Sequence, residues 1–135
     1  MAYIIGIVLA LAVSVYATVM RLDRDRAFYP TVLIVIALYY VLFAVMGGSG
    51  RAIVVELVVM GVFAVAASLG FKRSLWLVVA GLAAHGVQDF FHMRLVANPG
   101  VPAWWPAFCG AYDVVAAGYL AWRLTRDSVR RIPVA

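Results

Sequence analysis

His85, Asp89 and His92 recur at i, i+4 and i+7 in an otherwise apolar run, a spacing that keeps them within about 60° of one another on one helix face. Glu56 and Asp113 stand in two further apolar runs. Neutral imidazoles and carboxylates are donors that zinc, iron and manganese accept. Histidines one or two turns apart on a helix can reach a common ion. The set therefore points to a divalent-metal site with His85, Asp89 and His92 as ligands and Asp113 completing it. Zinc is the first expectation, with iron and manganese as alternatives. Glu56 is either a further ligand or the general base that takes a proton from metal-bound water, whose pKa zinc lowers to about 7.

A competing reading needs no metal. An ionisable group at the centre of a membrane helix costs about 2.5–3.5 kcal/mol on insertion scales, so such groups are paired, hydrated or ligand-bound. The two histidines could simply hydrogen-bond Asp89 and Asp113 across a helix interface and hold the bundle together. Cys109 lies four residues before Asp113 and so shares its face, with Tyr112 beside it; as a small apolar filler it stays outside the expected ligand set. Tyr39 and Tyr40 either line a pocket or pack. Trp104 and Trp105 read as an interfacial aromatic anchor. The run Gly47-Gly48-Ser49-Gly50 lacks the pattern of a phosphate loop and reads as a turn.

The elements that must position these groups follow from composition. Of 135 residues, 67% are hydrophobic and 13% charged, which is too apolar for a soluble domain. Five spans of about twenty residues account for most of the chain. The reading is an all-α integral membrane bundle in one domain, with spans at Tyr3–Met20, Pro30–Met46, Ala52–Phe71, Leu75–His92 and Trp105–Arg123. The loop from Met93 to Trp104 contains Asn98-Pro99-Gly100-Val101-Pro102, turn chemistry that cannot continue a helix. The first apolar stretch lacks a basic leader and is followed at once by charge, so it reads as a span that stays.

Arginine and lysine set the orientation. With five spans, Arg21, Arg24, Arg26, Lys72, Arg73, Arg123, Arg126, Arg130 and Arg131 share one side, and only Arg51 and Arg94 the other. That places the N-terminus outside and the C-terminus in the cytoplasm. Glu56, His85, Asp89, His92 and Asp113 then fall within roughly 12 Å of the outer surface, in reach of a pocket open to the outside. The net charge of +5 reflects this topology rather than nucleic-acid binding; the basic tail Arg123–Arg131 suits anionic lipid headgroups. A single cysteine excludes an internal disulfide.

The stretch His85-Gly86-Val87-Gln88-Asp89-Phe90-Phe91-His92, the loop Asn98-Pro99-Gly100-Val101-Pro102-Ala103-Trp104-Trp105-Pro106-Ala107-Phe108-Cys109 and then Asp113 resemble a family of small, functionally uncharacterised bacterial multi-span membrane proteins. The resemblance covers about the last third of the chain. It implies that the histidine stripe, the Pro/Trp loop and Asp113 form one unit, and it implies no activity. A bacterial inner (plasma) membrane location accords with it. The His/Asp spacing also resembles, distantly, the intramembrane metal-dependent hydrolases related to ceramidases. Those have seven spans and additional histidines, so no lipid amidase activity carries across.

Three functions follow as expectations. One is a metal-dependent hydrolase acting on a lipid or other hydrophobic substrate at the outer leaflet. Another is a proton or metal-ion transporter, although the inner halves of the spans offer only Ser14, Tyr16, Thr18, Ser68 and Tyr119 as polar groups, too few to line a path. The last is a non-catalytic ligand-binding or accessory subunit whose polar cluster fixes helix packing. A haem variant of it is disfavoured because both histidines lie on one span.

Overall fold

Serines end two of the turns. Ser49 accepts a hydrogen bond from the Ala52 amide and Ser74 from the Trp76 amide, satisfying amides that a helix start leaves without partners. Gly48, at φ +66°, makes the tight reversal before Ser49. Pro30 and Pro106 fall within the first turns of their helices, where a missing N–H costs nothing. The computed structural model describes residues 1–130 and contains α1 (Ala2–Val19), α2 (Phe28–Met46), α3 (Gly50–Lys72), α4 (Leu75–Leu95) and α5 (Trp105–Arg130). No strand occurs among the described residues. Arg131, counted in the charge bias above, lies outside them.

The helices pack in the order α1, α5, α4, α3, α2, with α2 folding back to touch α4. α1 meets α5 through a stripe of small buried residues, Gly6, Ala10, Ser14 and Ala17, and turns its larger apolar side chains outward. Such small-residue stripes let helices approach closely in lipid. The core cluster of Tyr29, Leu33, Phe63, Val78, Leu82 and Leu120 fills the space among α2, α3, α4 and α5. α1, α2 and α3 are long and apolar enough to cross a membrane, with mean hydropathies of 2.3, 2.2 and 2.5. α4 and α5 carry the site's ionisable residues, which dilute their hydropathy.

α4 and α5 cross where Gly86 faces Gly110. A Cβ on either would sit 3.1 Å from the other's carbonyl oxygen, tighter than ordinary contact, so a side chain at either would press the helices apart by a few tenths of an ångström. His85 and Cys109 directly precede the two glycines, and Asp89 and Asp113 follow them about one turn on. The loop of Asn98, Pro99 and Gly100 folds onto the end of α2, where a side chain at Gly100 would collide with the Phe43 carbonyl.

Candidate metal centre

The five ionisable residues singled out in the sequence are all sealed inside the protein: Glu56 and Asp89 are 1% exposed, and His85, His92 and Asp113 0%. The outward-open pocket expected around them is not formed. They also do not meet at one point. Two polar groups form, one above the other along α4.

The inner group sits at the α4–α5 crossing. His85 Nδ1 lies 2.6 Å from Asp113 Oδ2 and 3.5 Å from Asp89 Oδ2. The Cys109 thiol donates to Asp113 Oδ2 at 3.9 Å. One donor atom from each of His85, Asp89, Cys109 and Asp113 falls within 4.8 Å of every other. Ligands at ~2.0–2.3 Å from a tetrahedral zinc stand ~3.3–3.8 Å apart, so this group is about 1 Å from the dimensions of a closed site. His85 Nε2, Asp89 Oδ2 and Asp113 Oδ1 are buried and make no hydrogen bond. Phe63 packs edge-on against the His85 ring, its centroid 4.8 Å away.

The outer group joins α3, α4 and the long loop. His92 Nε2 lies 2.7 Å from Glu56 Oε1. The Asn98 amide donates to the same oxygen at 2.9 Å and to the Tyr40 carbonyl at 3.0 Å. His92, expected among the ligands, is thus paired with Glu56, while Cys109, left out of the expected set, stands inside the donor group. The two histidines stand about 10 Å apart along α4, and each ring is turned to a carboxylate of a different helix, His85 to Asp113 on α5 and His92 to Glu56 on α3.

Tyr40 connects the two groups. Its ring stacks on His92, with centroids 4.0 Å apart and planes 22° from parallel. Its hydroxyl donates to Asp89 Oδ1 at 2.6 Å. Tyr40 is 1% exposed, whereas Tyr39 is 39% exposed and packs on Trp105. Nothing in the pair's sequence context separates them. Asn98 was legible only as a turn residue, although its side chain does more than close the turn.

Charge balance distinguishes the groups. The Glu56–His92 pair holds one carboxylate and one imidazole and can be neutral. The inner group holds two carboxylates and one imidazole, so a protonated histidine offsets only half of its negative charge. Uncompensated charge away from water is costly, and a divalent cation balances two carboxylates. An imidazole, carboxylates and a thiol are together a donor set that zinc accepts.

Two features bear on access. An apolar groove of about 680 Å³ runs between α1, α2 and α5, and Cys109 forms part of its wall with Trp105, Phe108 and Tyr112. Cys109 is therefore the member of the donor group that the groove reaches. At the opposite end of the bundle, Arg123 donates to Thr18 at 2.9 Å and lies 3.7 Å from Asp23, closing α1 onto α5.

Comparison with protein-family models, curated proteins and solved structures gave no match to the chain.

Proposed function

We propose that the chain is a five-span membrane protein, N-terminus outside and C-terminus cytoplasmic, that holds one divalent cation, zinc first, at the crossing of α4 and α5. His85, Asp89 and Asp113 are the ligands, with Cys109 as the fourth donor. The observation that carries this reading is the inner group's composition: two buried carboxylates, one imidazole and one thiol gathered within 4.8 Å. Four protein donors in a sealed pocket favour a retained ion over one that turns over water. Glu56 supports the same choice. As the expected general base it would have to face the ion, but it stands outside the donor group, with its Oε1 held by His92 and Asn98.

The test is elemental mass spectrometry of the detergent-purified protein beside His85→Ala, Asp89→Asn and Asp113→Asn. One zinc, iron or manganese per chain, lost in all three variants, is the expected result. No metal in the wild type, and none recovered after adding these ions, refutes the reading and leaves a packing network.

One observation favours a second reading, the metal-dependent hydrolase of a lipid or other hydrophobic substrate. Cys109 belongs to both the donor group and the groove wall, so a site held by His85, Asp89 and Asp113 alone would turn its fourth position toward an apolar channel. Under that reading the Cys109→Ala protein keeps its ion and hydrolyses fluorogenic lipid esters or amides. An inert Cys109→Ala protein with its metal retained excludes it.

A further inference from the structure

Glu56, His92 and Asn98 are buried, polar and unused by the ion proposed above. Tyr40 touches both them and the inner group. We infer that Tyr40 is a positioning residue that couples the docking of the Asn98 loop to metal affinity at the α4–α5 crossing. This inference rests on the metal reading and adds to it a second control point outside the ligand set.

Tyr40 is held on three sides. Its ring lies against His92 at 4.0 Å, its carbonyl accepts from Asn98, and its hydroxyl reaches Asp89 Oδ1 at 2.6 Å. His92 and Asn98 are themselves fixed by the shared acceptor Glu56 Oε1. The chain of contact thus runs from the loop, through Asn98 and Tyr40, to a ligand carboxylate. Holding Oδ1 of Asp89 leaves Oδ2 as the oxygen that faces His85 Nδ1, 3.5 Å away. A carboxylate with one oxygen anchored presents the other as a single, oriented donor. Groups that orient ligands in this way commonly change metal affinity by about 10–100-fold when removed.

A phenol buried only for packing would need its hydroxyl satisfied and nothing more. Two features distinguish this one. The acceptor is itself a member of the donor group, and the backbone of the same residue is tied to the loop. Coupling between two binding events is reciprocal. If the docked loop favours the ion, the bound ion must favour the docked loop.

The experiment measures zinc affinity by chelator competition in metal-stripped wild type, Tyr40→Phe and Asn98→Ala, and records the visible spectrum of each with cobalt(II). Tyr40→Phe keeps the ring on His92 and removes only the hydroxyl. The expected result is a 10–100-fold weaker zinc affinity and a shifted cobalt spectrum, with one ion still bound at saturation. Asn98→Ala should weaken affinity in the same direction by a smaller factor, and zinc should slow amide exchange in residues 96–100 of the wild type. Wild type that binds while both variants match it in affinity and spectrum overturns the coupling and leaves the metal site standing. Wild type that takes up neither ion defeats the metal reading and the coupling with it. Should Tyr40→Phe fail to fold, Asn98→Ala keeps the Tyr40 hydroxyl and changes only the loop side chain, and an unchanged affinity there overturns the coupling by itself.

Discussion

Replacing Gly110 by alanine tests whether the α4–α5 crossing sets the donor geometry. The new Cβ would lie 3.1 Å from the Gly86 carbonyl oxygen, 3.2 Å from Asp89 Cβ and 3.2 Å from Phe90 Cζ. Ordinary contact begins at 3.4 Å, so the deficits are 3.4 − 3.1 = 0.3 Å and 3.4 − 3.2 = 0.2 Å. A backbone carbonyl cannot swing aside, and Asp89 is held by Tyr40. The helices must therefore separate by a few tenths of an ångström. Overpacking of this kind costs about 1–3 kcal/mol. Alanine's better helix propensity returns ~0.8–1.0 kcal/mol, leaving a net loss of about 0–2 kcal/mol. The effect on the ion should exceed the effect on the fold, because the displaced atoms include Asp89. Gly118 is the control: it sits in the same helix with nothing near its Cβ position, so Gly118→Ala should be neutral or slightly stabilising. Zinc affinity and SDS-induced unfolding would be measured on both variants. A Gly110→Ala protein matching Gly118→Ala in both assays would refute the crossing as the element that fixes the site.

Other expectations concern the remaining contacts. His92→Phe leaves Glu56 buried without its imidazole partner and should destabilise the protein by about 1–3 kcal/mol, while one ion per chain still binds at saturating zinc; loss of that stoichiometry would restore His92 to the ligand set. Stripping the metal from the wild type should lower its apparent stability by about 2.7 kcal/mol relative to zinc at 100 times Kd, read as a shift in thermal unfolding that the Asp113→Asn protein does not show. Ser49→Ala removes the cap of α3 and should cost about 1 kcal/mol in the same unfolding assay with metal affinity unchanged.

Helix positions were legible because each apolar run is bounded by charge or by turn residues. The expected spans Tyr3–Met20 and Pro30–Met46 correspond to α1 (Ala2–Val19) and α2 (Phe28–Met46). α5 continues to Arg130, beyond the expected span end at Arg123, since no glycine or proline interrupts Leu124–Arg130. Periodicity also identified the α4 face correctly, and His85, Asp89 and His92 are all buried. It could not say which neighbour each residue meets, because that depends on helix order. The order places α5 against the middle of α4, and α3 with the loop against its end. Hence Asp113 meets His85, and Glu56 meets His92. Tyr40 could not be told from Tyr39 for a related reason: in a span apolar on all sides, no pattern marks which face turns inward. Cys109 showed the same face as Asp113 in the sequence, but a lone thiol carries no signal until imidazole and carboxylates surround it.

The pairing of α1 with α5 has a bearing on how the molecule is made. Thr18 and Tyr119, joined by a 3.0 Å hydrogen bond, are separated by 101 residues. At about 5–20 residues per second, the ribosome needs roughly 5–20 s between emitting one and emitting the other. During that interval α1 waits without its partner, while α2, α3 and α4 can already assemble. α5 then supplies both the mate for α1 and Cys109 and Asp113 for the buried group. Closure of α1 onto α5 and assembly of the buried donor group thus wait on the same helix.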